Sequence, residues 1–274
     1  MWQGAVKTLH DAKVPDARHD ALALMAAVLH KKPLEVLADP EMVASEEQAA
    51  KYLAFVNRRA LREPLQYILG SAFFMGFEFQ VGPGVLIPRQ DSETLCERAV
   101  KAAKTGGRAL DLCCGSGCLG ISLKLLRPDL EVALSDISDK ALEVTEKNAR
   151  RLGADVRLLQ GDLFCPHQGQ KYDLILSNPP YIAREEMESL DPEVRLEPEL
   201  ALLAGVDGLD FYRRILKGAG DHLNPGGILL LEIGSDQAEA VSALVKDGFS
   251  RPRIHFDLAG LPRVLETGLE GGVH

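Results

Sequence analysis

Ala109-Leu110-Asp111-Leu112, then Cys113-Cys114-Gly115-Ser116-Gly117, then a helical pattern over 117–126: this order predicts a strand, a turn of small residues and a helix. Downstream, Glu131-Val132-Ala133-Leu134-Ser135 reads as a second strand, with a helix from Ser138 to about Arg151 behind it. Val156-Arg157-Leu158-Leu159 and Tyr172-Asp173-Leu174-Ile175-Leu176 are strands three and four. A helix around 209–222 precedes a further apolar strand, Gly227-Ile228-Leu229-Leu230-Leu231. Strands this short and this apolar belong to a parallel sheet covered on both faces. Their alternation with helices predicts a doubly wound α/β domain with a mostly parallel sheet.

Upstream the period changes. Phe77, Phe79 and Val81 alternate with Glu78 and Gln80, between turn residues at Gly76 and at Gly82-Pro83-Gly84, which predicts a β-hairpin. Before it, Ala21, Leu22, Met25, Val28 and Leu29 recur at helical spacing, as do Ala49, Leu53, Val56 and Ala60. Ser45-Glu46-Glu47 supplies a cap for the second of these helices, and Pro33 and Pro40 punctuate between them. The expected organisation is a small α-helical domain over 1–72, a linking hairpin over 73–94 and the large α/β domain over 95–274.

Composition narrows the class. Hydrophobic residues are 46% and charged residues 26% of the 274-residue chain, the balance of an ordinary globular protein. No run approaches the ~18 apolar residues that cross a bilayer. The start, Met1-Trp2-Gln3-Gly4, lacks the basic and apolar regions of a secretory signal, so a cytoplasmic protein without membrane contact is expected. Five cysteines without any C-x-x-C pair read as buried thiols, with no metal expected. A net charge of −9 argues against a nucleic-acid substrate, because neutralising many phosphates needs a basic face. The basic clusters Arg58-Arg59-Arg62 and Lys101-Lys104-Arg108 read as solvated helix faces. A monomer is expected.

The turn after the first strand suits a ligand. Gly115-x-Gly117-x-x-Gly120 matches the phosphate-binding glycine pattern, but the match alone is weak. Asp111 tips the reading: an acidic residue at the strand tip repels a pyrophosphate and suits the cationic amino-acid end of S-adenosylmethionine. Asp136, ending the second strand, can accept both ribose hydroxyls, a task shared with nicotinamide sites. Gly161-Asp162-Leu163 follows the third strand and offers a contact to the adenine.

Asn178-Pro179-Pro180-Tyr181 stands directly after the fourth strand. Consecutive prolines fix φ and stop the chain continuing as strand or helix, so Asn178 is held at the strand end. A planar amide or aromatic amine nitrogen is a poor nucleophile because its lone pair is delocalised. Hydrogen bonds from its two N–H groups to the Asn178 side-chain oxygen and the Pro179 carbonyl would orient it for in-line methyl transfer. Tyr181 can stack over the planar group.

On these residues the chain resembles the Asn-Pro-Pro-Tyr methyltransferases, which modify adenine N6, guanine N2 or glutamine N5. Arg62-Glu63-Pro64-Leu65-Gln66-Tyr67-Ile68-Leu69-Gly70, Val85-Leu86-Ile87-Pro88-Arg89-Gln90-Asp91-Ser92-Glu93, Val194–Pro198 and Gly205–Leu209 extend the likeness. Over nearly its whole length the chain resembles the HemK-type protein-(glutamine-N5) methyltransferases that act on peptide chain release factors. That resemblance implies a Rossmann-like class I methyltransferase fold and S-adenosylmethionine as cofactor. Asp111, Cys113, Cys114, Gly115, Ser116, Gly117, Asp136, Asp162, Leu163 and Asn178 are then the expected cofactor contacts. Asn178, Pro179, Pro180 and Tyr181 form the glutamine pocket, and the helical domain helps to hold the release factor. The chain departs from the family at Cys113-Cys114, where Gly-Thr is usual. Cysteine at the first position is more familiar from sister enzymes that methylate a large-subunit ribosomal protein. The segments Arg62–Gly70 and Ile87–Glu93 favour the release-factor branch. An amino-methyltransferase of DNA or RNA would use the same pocket, but normally brings a basic track or a target-recognition domain. A nicotinamide dehydrogenase would leave 178–181 without purpose, and a catalytically silent binding module would not need these intact motifs.

Overall fold

The structure is a computed structural model that describes residues 2–39 and 43–270. The chain divides into two compact units, Met1–Ser71 with Asp191–Leu196, and Ala72–Leu190 with Glu197–His274.

The first unit is helical: α1 (Trp2–Asp11), α2 (Ala17–Leu29), α3 (Pro33–Ala38), α4 (Glu46–Ala60) and α5 (Leu65–Leu69). Its core includes Leu9, Ala21, Leu24, Val28, Tyr52, Val56 and Ile68. Ser45 caps α4 as its sequence predicts: Oγ accepts Gln48 N–H at 3.1 Å, and Gln48 Oε1 accepts Ser45 N–H at 2.9 Å. Pro33 stands between α2 and α4, where it opens the short α3, and Pro40 lies outside the described residues. The apolar spacing places Leu53 on the buried face of α4, yet Leu53 is 52% exposed while Tyr52, Val56 and Arg59 are buried. The stripe is rotated because a charged residue occupies part of it. Arg59 donates to Asp20 at 2.7 Å and pairs with Glu193 at 2.8 Å, so it is no solvated-face residue.

In the second unit, strands β1 (Ser71–Phe74) and β2 (Phe77–Gln80) pair across a two-residue turn in which Met75 and Gly76 both have positive φ, 51° and 80°. That turn matches the right-handed twist of the strands it joins. Next come α6 (Glu93–Ala102), β3 (Arg108–Leu112), α7 (Cys118–Leu126), β4 (Glu131–Asp136), α8 (Asp139–Leu152), β5 (Arg157–Gln160) and β6 (Tyr172–Ser177). The chain ends in α9 (Asp210–His222), β7 (Leu223–Glu232), α10 (Ala238–Ser242), β8 (Arg253–Phe256) and β9 (Pro262–Gly268).

Seven strands form one sheet in the order β5-β4-β3-β6-β7-β9-β8. β3 to β7 run parallel, and β9 is antiparallel to both β7 and β8. The α/β, doubly wound, mostly parallel architecture read from the sequence is the observed one. Alternate strand residues enter opposite cores. Ala109, Leu134, Leu174 and Leu230 pack with α6 and α7, while Leu110, Ile175, Leu229 and Leu231 pack with Tyr212, Ile215 and Ala219 of α9. The chain leaves β3 towards β4 on one side and later returns to β6 on the other. Ligands in such sheets bind outside the carboxyl ends at that switch point.

Candidate active site

Parallel register aligns Leu112 with Ser177, and Ser177 Oγ donates to the Leu112 carbonyl at 2.8 Å. The residues that follow the two strands, Cys113 and Asn178, therefore emerge side by side, and both line a cleft there. Gly115, Asp136, Asp162, Leu163 and Pro180 also line it, together with Ser135, Ile137, Ser138 and Phe211, which the sequence reading does not assign to a site. Val85 and Leu86 close one part of the wall, and Pro198, Leu200 and Ala201 another.

The loop after β3 is held from two sides. Gly115 N–H donates to Asp136 Oδ2 at 2.9 Å, and Ser138 N–H donates to Asp136 Oδ1 at 2.9 Å. From α8, Thr145 Oγ1 donates to the Gly115 carbonyl and Asn148 Nδ2 to the Ser116 carbonyl, each at 2.9 Å. Gly117 opens α7 at φ 80°, and a Cβ there would lie 2.7 Å from Thr145 Cγ2. Behind the loop, Gly120 N–H donates to Asp111 Oδ2 at 2.8 Å, and a Cβ on Gly120 would come within 2.9 Å of that oxygen.

Asp111 is fully buried, and its Oδ1 has no hydrogen-bond partner. Burial pushes its carboxyl up to about 8, against the Gly120 hydrogen bond, with the Asp136 charge adding to the rise. An orphaned buried carboxylate oxygen beneath the loop suits a cationic ligand group. Cys114, Ser116 and Gly117 also lie behind the cleft wall rather than on it; Cys114 and Ser116 are buried. Burial raises Cys113, Cys114 and Cys118 well above the ordinary thiol range. Asp162 reaches the cleft, but its carboxylate is held by Arg214 at 2.6 Å. Leu163 and Cys113 both sit at positive φ, 49° and 59°. With Leu163, Ile137 and Phe211 as apolar surface and Asp136 as acceptor, the cleft fits an adenosine-bearing ligand.

Asn178 Nδ2 donates to Ser92 Oγ at 3.3 Å, which leaves Oδ1 as the end of the amide available to a ligand. Pro179 and Pro180 are buried, and the Tyr181 carbonyl accepts Gln237 Nε2–H at 2.9 Å, so the turn is rigid. Burial raises the Tyr181 hydroxyl to about 12 and keeps it neutral. The segment 85–89 is anchored by Glu197, which accepts Ile87 N–H at 2.9 Å and pairs with Arg89. Those contacts give a physical reason for both flanking blocks. Ser92 and Phe211 carry no local signal for a site; only the fold brings them here. Among the described residues, no group of three His, Cys, Asp or Glu side chains is arranged to hold a metal, and no helix is long and apolar enough to cross a membrane.

Residues 1–70 match the family model of the PrmC N-terminal domain, and residues 90–191 that of the methyltransferase small domain. A release factor glutamine methyltransferase of Geobacter sulfurreducens is 41% identical over 259 residues, covering 94% of this chain and 91% of the relative. One from Cereibacter sphaeroides is also 41% identical, covering 97% of this chain and 96% of the relative. Among solved structures, a methyltransferase from Pyrococcus furiosus superposes with a TM-score of 0.56 at 19% identity, covering 78% of this chain and 98% of that one. That last likeness concerns the fold.

Proposed function

The chain belongs to the release factor glutamine methyltransferase family, and on that premise we propose that it methylates the side-chain amide nitrogen of a glutamine in a peptide chain release factor. S-adenosylmethionine, when bound in the cleft, supplies an electrophilic methyl group on a sulfonium.

Asp136 is suited to accept the ribose hydroxyls while it keeps the Gly115 loop in place. Asp111, with one oxygen unpartnered beneath that loop, is suited to the positive amino-acid end. Leu163 and the backbone beside Asp162 take the adenine. The observation that carries the reading is the commitment of Asn178 Nδ2 to Ser92. It turns the amide so that an acceptor oxygen is offered to an incoming N–H group, and the Pro179 carbonyl in the same turn is suited to take the second N–H.

A glutamine amide held through both N–H groups keeps its nitrogen aimed at the sulfonium methyl, and its lone pair leaves conjugation with its own carbonyl as the transition state forms. Tyr181, neutral and part of the same turn, is suited to pack over the planar group. The proton leaves from nitrogen that is already methylated and cationic, so no residue of lowered or raised pKa is required as a base.

The release factor is the favoured acceptor because the resemblance extends through the helical unit, which is suited to recognising a protein. A net charge of −9 supports a protein loop over nucleic acid as the substrate, and the working form proposed with it is a cytoplasmic monomer. Incubation with labelled cofactor and, in parallel, release factor, large-subunit ribosomal protein or naked RNA and DNA tests this reading. Label entering the release factor supports it; label entering only one of the others overturns it.

A further inference from the structure

Behind Asn178 and Ser92 lies a buried carboxylate, Glu232, that the chemistry above leaves without a role. Ser92, just before α6, is 2% exposed and receives the Asn178 Nδ2–H. The carboxylate of Glu232, the last residue of β7 and 1% exposed, faces Ser92 and is the acceptor available to the serine proton. Because Ser177 pairs with Leu231 in parallel register, Asn178 and Glu232 stand one rung further, at the ends of neighbouring strands. Glu232 Oε2 is buried without any hydrogen-bond partner. A buried carboxylate placed so is costly for stability and calls for a reason.

The reason follows from counting protons. A serine hydroxyl has a single proton and two lone pairs. When Glu232 takes that proton, Ser92 shows Asn178 only lone pairs, and the asparagine amide must present its NH2 there. Its Oδ1 then faces the cleft, where the acceptor nitrogen brings N–H groups. Without Glu232, the Ser92 proton is free to point at Asn178 Oδ1, and the reversed amide would set NH2 against NH2.

We propose that Glu232 is a positioning residue, which through Ser92 holds the Asn178 amide with Oδ1 turned towards the acceptor nitrogen. The proposal rests on the reading that Asn178 receives the target amide.

Several ionisable groups face Glu232. Arg263 of β9 and Arg89 favour the carboxylate, Asp91 opposes it, and Tyr181, Tyr212 and Cys118 surround it. Burial outweighs the arginines and raises Glu232 to about 7. A protonated Glu232 can itself donate to Ser92, which releases the serine proton towards Asn178. Turnover therefore declines as pH falls through about 7.

The test is a cycle of Ser92→Ala, Glu232→Gln and the double variant, using whichever acceptor the wild type methylates. Wild-type transfer to the release factor tests the function; the ratios between variants test Glu232, so either can fail alone. Ser92→Ala should lower kcat by up to about tenfold, the worth of one neutral hydrogen bond, with cofactor affinity unchanged. Glu232→Gln should lower kcat several-fold and flatten the pH profile between 5.5 and 8. In the Ser92→Ala background Glu232→Gln should add nothing, because the pair acts as one unit, and Ser92→Thr, which restores the hydroxyl, should recover turnover. Additive effects, an unchanged pH profile in Glu232→Gln, or losses confined to cofactor binding would overturn the proposal. Should Glu232→Gln not fold, the wild-type pH profile set against that of Ser92→Ala decides alone. An acid limb of kcat surviving in Ser92→Ala at saturating cofactor, where the Asp111 titration is silent, contradicts it.

Discussion

Gly115 and Asp136 are joined by a 2.9 Å hydrogen bond from the glycine N–H to Oδ2, so the tip of β4 braces the loop that follows β3. One carboxylate therefore shapes the cleft and offers its remaining lone pairs to a ligand. Its partly buried position raises its pKa, and the N–H groups of Ser138 and Gly115 hold that rise in check.

Asp136→Ala should weaken S-adenosylmethionine binding by about ten- to a hundredfold, the loss of charge-assisted hydrogen bonds worth about 1.5–3 kcal/mol. Isothermal calorimetry measures it directly. An unchanged Kd would remove Asp136 from the cofactor site.

Cys113 carries a side chain at φ 59°, a conformation that costs a non-glycine residue about 1 kcal/mol or more. Cys113→Gly relieves that strain at a position where the neighbouring backbone is already tied down. The relieved strain is offset by the unfolded-state freedom that glycine adds, so the variant should stay within about 1 kcal/mol of wild-type stability and keep nearly full turnover. A loss of activity larger than a few-fold would mean that the thiol contributes chemistry or essential packing.

Asp111 gives the unliganded protein a pH-dependent weakness. Burial raises its carboxyl from 3.8 to about 8, so the folded state holds a proton that the unfolded state has released. The associated stability is full below pH 3.8 and is lost as pH rises towards 8. The melting temperature should fall between pH 6 and 8 more steeply in the wild type than in Asp111→Asn, which does not titrate. S-adenosylmethionine should reduce that fall by bringing a positive charge to the carboxylate. Equal slopes in the two proteins would contradict the assignment.

Arg59 is the charged centre of the helical unit, bonded to Asp20 at 2.7 Å and to Glu193 at 2.8 Å, while Arg62 holds both Glu193 oxygens, at 2.7 and 2.5 Å. Arg59→Ala leaves Asp20, which is 5% exposed, with the exposed His19 as its remaining side-chain partner, and should destabilise that unit by about 3 kcal/mol in denaturant unfolding. A change below 1 kcal/mol would mean that water takes over the pairing.

The same arginine marks the limit of what apolar spacing reveals. The strands β3 to β7 were legible because a doubly covered sheet demands almost unbroken apolar runs, as in Ile228–Leu231. The phase of α4 was not, since Arg59 fills a core position that no hydrophobic pattern records. Nor were β8 and β9, where Arg263 and Glu266 are accommodated by Asp257, Asp91, Arg98 and His255 rather than by solvent. In the cleft, Asp136, Leu163 and Asn178 could be read ahead because a parallel sheet gathers its strand ends at one edge. Ser92 and Asn178 are 86 residues apart, and Glu232 ends another strand; only packing reveals that chain.

The most direct test of the central claim is mass spectrometry of a release factor after incubation with S-adenosylmethionine and the enzyme. The wild type should add the mass of one methyl group, located by fragmentation on a glutamine side chain. Asn178→Ala should slow that addition by about a hundredfold or more while cofactor binding largely survives, because the lost contact matters most in the transition state. A release factor left unmodified while naked RNA or DNA gains the methyl group would contradict the account.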